Sequence, residues 1–196
     1  MRQGAGLLIR VPARFCHISK VLIMSDIPPR LIYRRPQRVD LPTVFAIFGD
    51  PQTNQFNPAG PMTDIAQAEA LLHRWLQHWT THGYGWWAIS SPQAPGKVLG
   101  FAGIAAHDYL GKPVTNLGYR FAVEAWGHGY ATEAAKTALT HAFHHLGLPE
   151  VFGLVRPDHA ASIRVLEKIG MHRFGDLDDV PGKAPSLVFR IQRPDV

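Results

Sequence analysis

Two rhythms of apolar residues alternate along the chain. Residues 63–79 set Ile65, Ala68, Leu72, Trp75, Leu76 and Trp79 at helical spacing, behind an Asp64-x-x-Gln67 start that resembles a capping box. Residues 131–146 repeat the pattern with Ala131, Ala134, Ala135, Ala138, Leu139, Ala142, Phe143 and Leu146, ended by Gly147 and Pro149. Two shorter helices are predicted. One follows Asp40 as its cap and carries Val44, Phe45, Ile47 and Phe48; the other covers 160–169 and stops at Gly170. Short apolar runs at 31–35, 85–90, 98–106, 114–123, 151–155, 171–176 and 186–192 read as strands.

The connections narrow the topology. Residues 91–96 read as a turn and 107–113 as the close of a hairpin. The passage from the 114–123 strand through a helix to the 151–155 strand calls for parallel pairing by a right-handed crossover. The fold class is therefore α+β in three layers: a mixed, mostly antiparallel sheet with helices on both faces. The many alanines of 131–146 imply close approach of that helix to the sheet. Gly100 and Gly103 are expected bulge points in their strand. Residues 49–62 form a loop of a length that usually carries a function.

The chemistry concentrates where the 114–123 strand meets the alanine-rich helix, in Phe121-Ala-Val-Glu-Ala-Trp-Gly-His-Gly-Tyr-Ala-Thr-Glu-Ala-Ala135. Gly127 and Gly129 let a ligand lie directly against the backbone. The amides of Gly129, Tyr130, Ala131 and Thr132 are the unpartnered donors of a first helical turn, and with the helix dipole they suit an anion such as phosphate.

This loop, Trp126-x-x-Gly129-x-Ala131, resembles the pyrophosphate loop of the GNAT superfamily of acyl-CoA N-acyltransferases, and Trp126 in its first place looks like the RimJ/RimL-type branch. Downstream, Val155-Arg-Pro-Asp-His-Ala-Ala-Ser-Ile-Arg-Val-Leu-Glu-Lys-Ile-Gly-Met171 is similar to that branch's second signature. The resemblance spans roughly residues 30–193. It implies that the 114–123 and 151–155 strands splay apart around the pantetheine arm of acetyl-CoA. The arm would meet backbone at Phe121, Ala122 and Val123, and the pyrophosphate would meet Trp126, Gly127, His128, Gly129, Tyr130, Ala131 and Thr132. The loop at 49–62 and its flanking helices would shape the acceptor site.

The implied reaction is attack of a neutral amine on the acetyl thioester, which needs loss of the amine's proton and stabilisation of the departing thiolate. At pH 7 a peptide α-amine is about a tenth neutral, a lysine amine only about four parts in ten thousand. Three positions depart from the family pattern. Many relatives carry a glutamate base where this chain has Asn116, which can at most orient a water. A tyrosine acid of other branches aligns with Leu166. The asparagine that commonly contacts the CoA arm is His159 here, able to hydrogen-bond the cofactor or to shuttle protons. Ser162 matches the thiol-side hydroxyl. Ser162, Asn116 and His159 are thus the catalytic candidates, with His159 and Ser162 also counted toward the cofactor. Solvated surface or helix-start charge is the expected role of Glu124 and Glu133; His107 and Asp108, at a hairpin end, are expected to be solvated there rather than to reach the acceptor side. No ligand set accompanies His144-His145, so no metal is expected.

Composition adds bounds. Of 196 residues, 46% are hydrophobic, which suits a single domain with its own core. No apolar run approaches the roughly 18 residues of a membrane span. A single cysteine, Cys16, excludes an internal disulfide framework and fits a cytoplasmic location. The net charge of +5 suits a polyanionic cofactor; without a basic run interleaved with aromatics, nucleic acid is not the expected partner. Residues 1–24 carry Arg2, Arg10, Arg14 and Lys20 and no acid. They read as an extension ahead of a start at Met24 or as a transit-peptide-like arm, leaving 25–196 as one catalytic domain. The leading function is an acetyl-CoA-dependent N-acetyltransferase acting directly on a primary amine, of a protein N-terminus or of a small molecule. A non-catalytic acyl-CoA-binding module is the alternative, and the oligomeric state, homodimer included, stays open. Deleting residues 1–23 is expected to leave the melting temperature within about 5 °C, roughly 1–2 kcal/mol for a chain of this size. A larger fall in a thermal melt would show the arm packed on the core.

Overall fold

Strands β1 (Ile32–Arg34), β2 (Trp86–Ser90), β3 (Gly100–Asp108), β4 (Pro113–Phe121), β5 (Glu150–Val155), β6 (His172–Leu177) and β7 (Ser186–Gln192) form one sheet in the order β1-β2-β3-β4-β5-β7-β6. Helices α1 (Leu41–Gly49), α2 (Ile65–His82), α3 (Tyr130–Thr140) and α4 (Ala160–Lys168) complete the computed structural model, which describes residues 30–194. The expected elements all form, with ends shifted by a few residues. The 1–24 arm and Cys16 lie outside the described residues. Among the described residues no helix is long and apolar enough to cross a membrane.

Every strand pair is antiparallel except β4–β5. That parallel pair holds only two rungs, Asn116 with Phe152 and Leu117 with Gly153, and from Gly118 onward the two strands part. Strand alternation sorts the faces. Phe101 packs with Val44, Ala68 and Trp75 of α1 and α2, whereas Ala102 and Ile104 pack with α3 through Ala134, Ala135 and Ala138. The alanines of α3 allow the close approach that the sequence implies, and Ala134, Ala135, Ala138 and Ala142 have no measurable exposure. On β4, Leu117, Tyr119 and Phe121 face α3 and α4, so Asn116, Gly118 and Arg120 face α1 and α2.

Two local expectations are corrected. Asp40 does not cap α1: its buried carboxylate takes a two-pronged pair from Arg34, at 2.8 and 2.6 Å, and the Gln37 amide at 2.7 Å. The carboxylate serves the β1 crossing because a buried charge needs a charged partner. Gly100 and Gly103 are not bulges, since the β3–β4 register runs unbroken from Gly100–Phe121 to Asp108–Pro113. They are glycines because neighbours occupy the space of a side chain. A Cβ on Gly103 would lie 2.7 Å from the Trp86 Cα and collide with the Gly85 carbonyl; on Gly100 it would strike the Phe121 ring. The α2 cap is as expected, with Asp64 accepting from the Ala66 amide at 2.9 Å and Gly83 closing the helix at φ 76°. Trp75 stacks on Trp86 at 5.1 Å and meets Phe101 at 5.1 Å, which is core packing.

Backbone sets the Gly103 collision, and backbone cannot swing aside. Gly103→Ala is expected to cost about 1–3 kcal/mol, seen in a thermal melt as a fall of roughly 3–10 °C.

Candidate functional site

The chain leaves β4 at Phe121 and turns once through Val123–Ala125 before reaching the glycines. Trp126 donates its indole N–H to the Phe121 carbonyl at 3.0 Å, and a His128 ring nitrogen lies 2.8 Å from the Trp126 carbonyl. Gly127 and Gly129 take left-handed backbone angles, φ 78° and 77°, which side chains other than glycine adopt only under strain. Among the described residues, and apart from the adjoining residues of the chain, no atom lies within 4 Å of where a Cβ on Gly127 would sit, and only an Arg30 nitrogen, at 3.8 Å, for Gly129. The loop thus presents open backbone. The first bond of α3 runs from the Glu133 amide to the Gly129 carbonyl, and the amides of Tyr130, Ala131 and Thr132 find no acceptor among the described residues. Free amides at a helix start with bare glycine backbone beside them fit a pyrophosphate.

The loop is pinned from a distance the sequence does not reveal. Arg30 donates to the Glu133 carboxylate at 2.9 and 2.6 Å and to the His128 carbonyl at 3.2 Å. Glu133 is therefore a loop anchor as well as a helix-start charge. Glu124 makes only an exposed contact with Lys97 at 3.4 Å. Upstream, the Ala122 amide is already taken by the Leu99 carbonyl at 2.9 Å, which carries the pairing beside β3 one residue past Gly100–Phe121. The Val123 amide has no acceptor among the described residues, which narrows the backbone free to meet a ligand along residues 121–123.

Across the gap between β4 and β5, two hydroxyls meet. The Tyr119 Oη lies 2.8 Å from the Ser162 Oγ, and it also donates to the Ser162 carbonyl at 3.2 Å. Burial, partly offset by the bond to Ser162, pushes the Tyr119 phenol up to about 12. Tyr119 is a residue that the sequence motifs do not single out; its signal is a polar tip within an otherwise apolar strand face. Leu166 is 2% exposed and packs against the bare backbone of Gly153, so its position belongs to the core.

On the opposite face of β4, the Asn116 side-chain carbonyl accepts from the Tyr109 hydroxyl at 2.7 Å. Tyr109 is buried, and burial pushes its phenol well up. A groove of about 800 Å3 opens here, over the half of the sheet that α1 and α2 leave uncovered, between Tyr109, Phe152, Phe174, Val188 and Arg190. It adjoins Asn116 through Tyr109 but does not include Ser162, His159 or the glycine loop. Asp108 accepts from the Gly111 amide at 2.7 Å and serves the hairpin turn.

His159 stands just before α4, stacked on Phe56 with ring centroids 4.2 Å apart. Its buried Nδ1 has no partner among the described residues. Burial is the main reason its pKa falls; Asp158 opposes the shift and Arg120 adds to it, so the ring is neutral at pH 7. Phe56 belongs to the 50–64 connection between α1 and α2, so this loop reaches over the parted strands. A second tie runs from Arg120, whose guanidinium donates to the Asn54 side-chain carbonyl at 2.5 Å and sits 4.6 Å from the Phe48 ring centre. No cluster of three His, Cys, Asp or Glu side chains is gathered for a metal among the described residues.

Comparison with known proteins converges on one family. Residues 30–172 match the acetyltransferase (GNAT) domain. The Bacillus subtilis protein YkkB is 33% identical over 158 residues, 79% of this chain and 87% of that protein. An acetyltransferase (GNAT family) from Bacillus anthracis superposes with a TM-score of 0.68 at 23% identity, covering 84% of this chain and 95% of the other. Spermidine N-acetyltransferase from Vibrio cholerae, solved with CoA and spermine, has the same fold at a TM-score of 0.68 and 17% identity, over 84% and 96% of the two chains. With seven strands, one parallel pair that parts after two rungs, and an open glycine turn at the mouth of the gap, this chain belongs to the GNAT acetyltransferase family, whose enzymes use acetyl-CoA, and is an N-acetyltransferase.

Proposed function

We propose that this enzyme moves the acetyl group from acetyl-CoA to a primary amine by direct attack while both substrates are bound, in the manner of the RimJ/RimL-type branch. The observation that carries the reading is the Tyr119–Ser162 hydroxyl pair spanning the gap between β4 and β5. The donor's pyrophosphate meets the amides of residues 129–132, with His128 and Trp126 walling the loop. Its pantetheine arm runs along the unpaired edge of β4 to the turn beyond it, where the Val123 amide has no acceptor among the described residues. The acceptor enters from the α1 and α2 face, where Asn116 stands.

Magnitudes decide how the hydroxyl pair works. A thiol has a pKa near 8.5, while Tyr119 stands at about 12. A proton transfer from that phenol to the thiolate runs uphill by a few units, on the order of several kcal/mol at 1.36 kcal/mol per unit. The pair therefore acts by hydrogen-bonding the sulfur as negative charge builds on it, with Tyr119 orienting the Ser162 hydroxyl. The proton balance closes without the protein: the amine loses one proton on becoming an amide, and the thiolate takes up one. Asn116 cannot accept a proton, so its part is to orient a water, its carbonyl already held by Tyr109. Such a site suits an amine with a substantial neutral fraction at pH 7 better than a lysine side chain.

Two outcomes test the assignment. Gly129→Glu should abolish acetyl-CoA binding in calorimetry while circular dichroism stays native, because it strains a φ of 77° and sets a carboxylate beside phosphate; wild-type affinity would sink the anion-site reading. Ser162→Ala should lower kcat about ten- to a thousandfold, or roughly 1.4–4 kcal/mol of barrier, with little change in acetyl-CoA affinity. A kcat within a factor of two of wild type would mean that holding a neutral amine against the thioester supplies most of the rate.

A further inference from the structure

Arg120 carries more charge than its surroundings explain. It is half-buried on β4, on the same face as Asn116 and Gly118 and two residues past the point where the strands part. Successive same-face residues of a strand are about 7 Å apart, so its Cα lies roughly that far from Gly118. Around it stand the Phe48 ring, the neutral side chain of Asn54 and the neutral ring of His159. It forms no ion pair among the described residues. Burial, with no carboxylate to offset it, lowers its pKa to about 10, which still leaves it charged at pH 7.

One of its five N–H donors is used on Asn54. The acceptor is a side chain already engaged by the loop, since Asn54 also donates to the Phe48 and Asp50 carbonyls at 2.8 Å and its own carbonyl takes the Asn57 amide at 2.9 Å. A clamp on that loop needs only a neutral donor such as glutamine; withdrawing a guanidinium from water costs free energy that the Phe48 ring face and one neutral acceptor offset only in part. Elsewhere in the chain, the half-exposed Arg34 is matched by Asp40 with two short bonds. Arg120 is the contrasting case, a planar fork with one donor engaged and no anion beside it among the described residues. That geometry matches a carboxylate held by two parallel N–H bonds.

We propose that the acceptor is an amine that also carries a carboxylate near the reacting nitrogen, an amino acid or a close analogue, and that Arg120 selects it by pairing with that carboxylate. The proposal rests on the amine-acetylation reading above and deepens it. The carboxylate would supply the charge that Arg120 lacks, and it would hold the amine on the Arg120 face of β4. A polyamine, by contrast, would bring a second ammonium against an unpaired guanidinium.

The test sets each common L-amino acid against its own carboxamide, with spermidine as the carboxylate-free polyamine. CoA release is followed for wild type, Arg120→Gln and Arg120→Lys. Because the carboxamide also changes the amine's pKa, the quantity read is the acid-to-amide ratio of kcat/KM in wild type divided by that in the variant. Removing one partner of a desolvated charge pair predicts a fall of about 30-fold or more in Arg120→Gln. Partial recovery is expected in Arg120→Lys, with acetyl-CoA affinity and the thermal melt close to wild type. Calorimetry of the same ligands on the CoA-saturated protein separates the two claims. No CoA release from any acceptor, together with carboxylate-selective binding that Arg120→Gln loses, would overturn the transfer reading and keep the Arg120 site. An unchanged ratio in Arg120→Gln, no preference for acid over amide in wild-type turnover or binding, or spermidine favoured over every amino acid would overturn the Arg120 site whatever the transfer activity.

Discussion

The parting of β4 from β5 is the constraint on which the site depends. A regular parallel ladder would continue from Leu117–Gly153 to the next rungs; here it stops, and the facing edges of both strands keep backbone groups without ladder partners. What holds the gap open lies outside it. β4 is pinned along its whole length by β3, and β5 along its whole length by β7, both antiparallel. Two rigid half-sheets thus diverge from a two-rung hinge. The glycine loop stands at the end of one edge and α4 follows the end of the other, so the gap, the anion cradle and the Ser162 hydroxyl follow from the same divergence.

Strand alternation then divides the labour. Leu117, Tyr119 and Phe121 turn toward α3 and α4, where the helix start and Ser162 lie. Asn116, Gly118 and Arg120 turn toward α1 and α2 and their connecting loop. One six-residue stretch of strand thereby lines two faces of the sheet, which the proposed function assigns to donor and acceptor, and the period of two keeps the two sets of side chains from competing for space. Gly118 is part of this arrangement, because the Trp86 ring fills the room its side chain would need.

The loop between α1 and α2 is built before any substrate arrives. Thr53 donates to the Ile47 carbonyl, Asn54 to those of Phe48 and Asp50, and Asn57 to that of Gly60 at 2.7 Å. Such side-chain-to-backbone bonds are the reason asparagine and threonine recur in tight loops. Phe56 on His159 and Asn54 on Arg120 fasten the finished loop over the gap. An acceptor that meets a loop already ordered loses less free energy to ordering on binding.

The sequence by itself determined the local facts. Apolar period located the four helices and seven strands, because each element buries one face at its own spacing. Gly127 and Gly129 marked the anion turn, because only glycine enters left-handed backbone freely. Identity at Asn116 and Leu166 ruled on proton transfer, because an amide and an alkyl group have no proton to trade. Tertiary structure decided whatever depends on residues far apart in the chain. Arg30 meets Glu133 across 103 positions, Tyr119 meets Ser162 across 43, and Arg120 meets Asn54 across 66. Those pairings follow from which strands neighbour which, and periodicity carries no record of that. The same holds for Gly103, whose lack of a side chain reads as a bulge in one dimension and proves to be space taken by Gly85 and Trp86 in three. Arg120 is the sharpest case. In sequence it is one charge in a strand; that it is half-buried with no ion-pair partner among the described residues shows only in three dimensions.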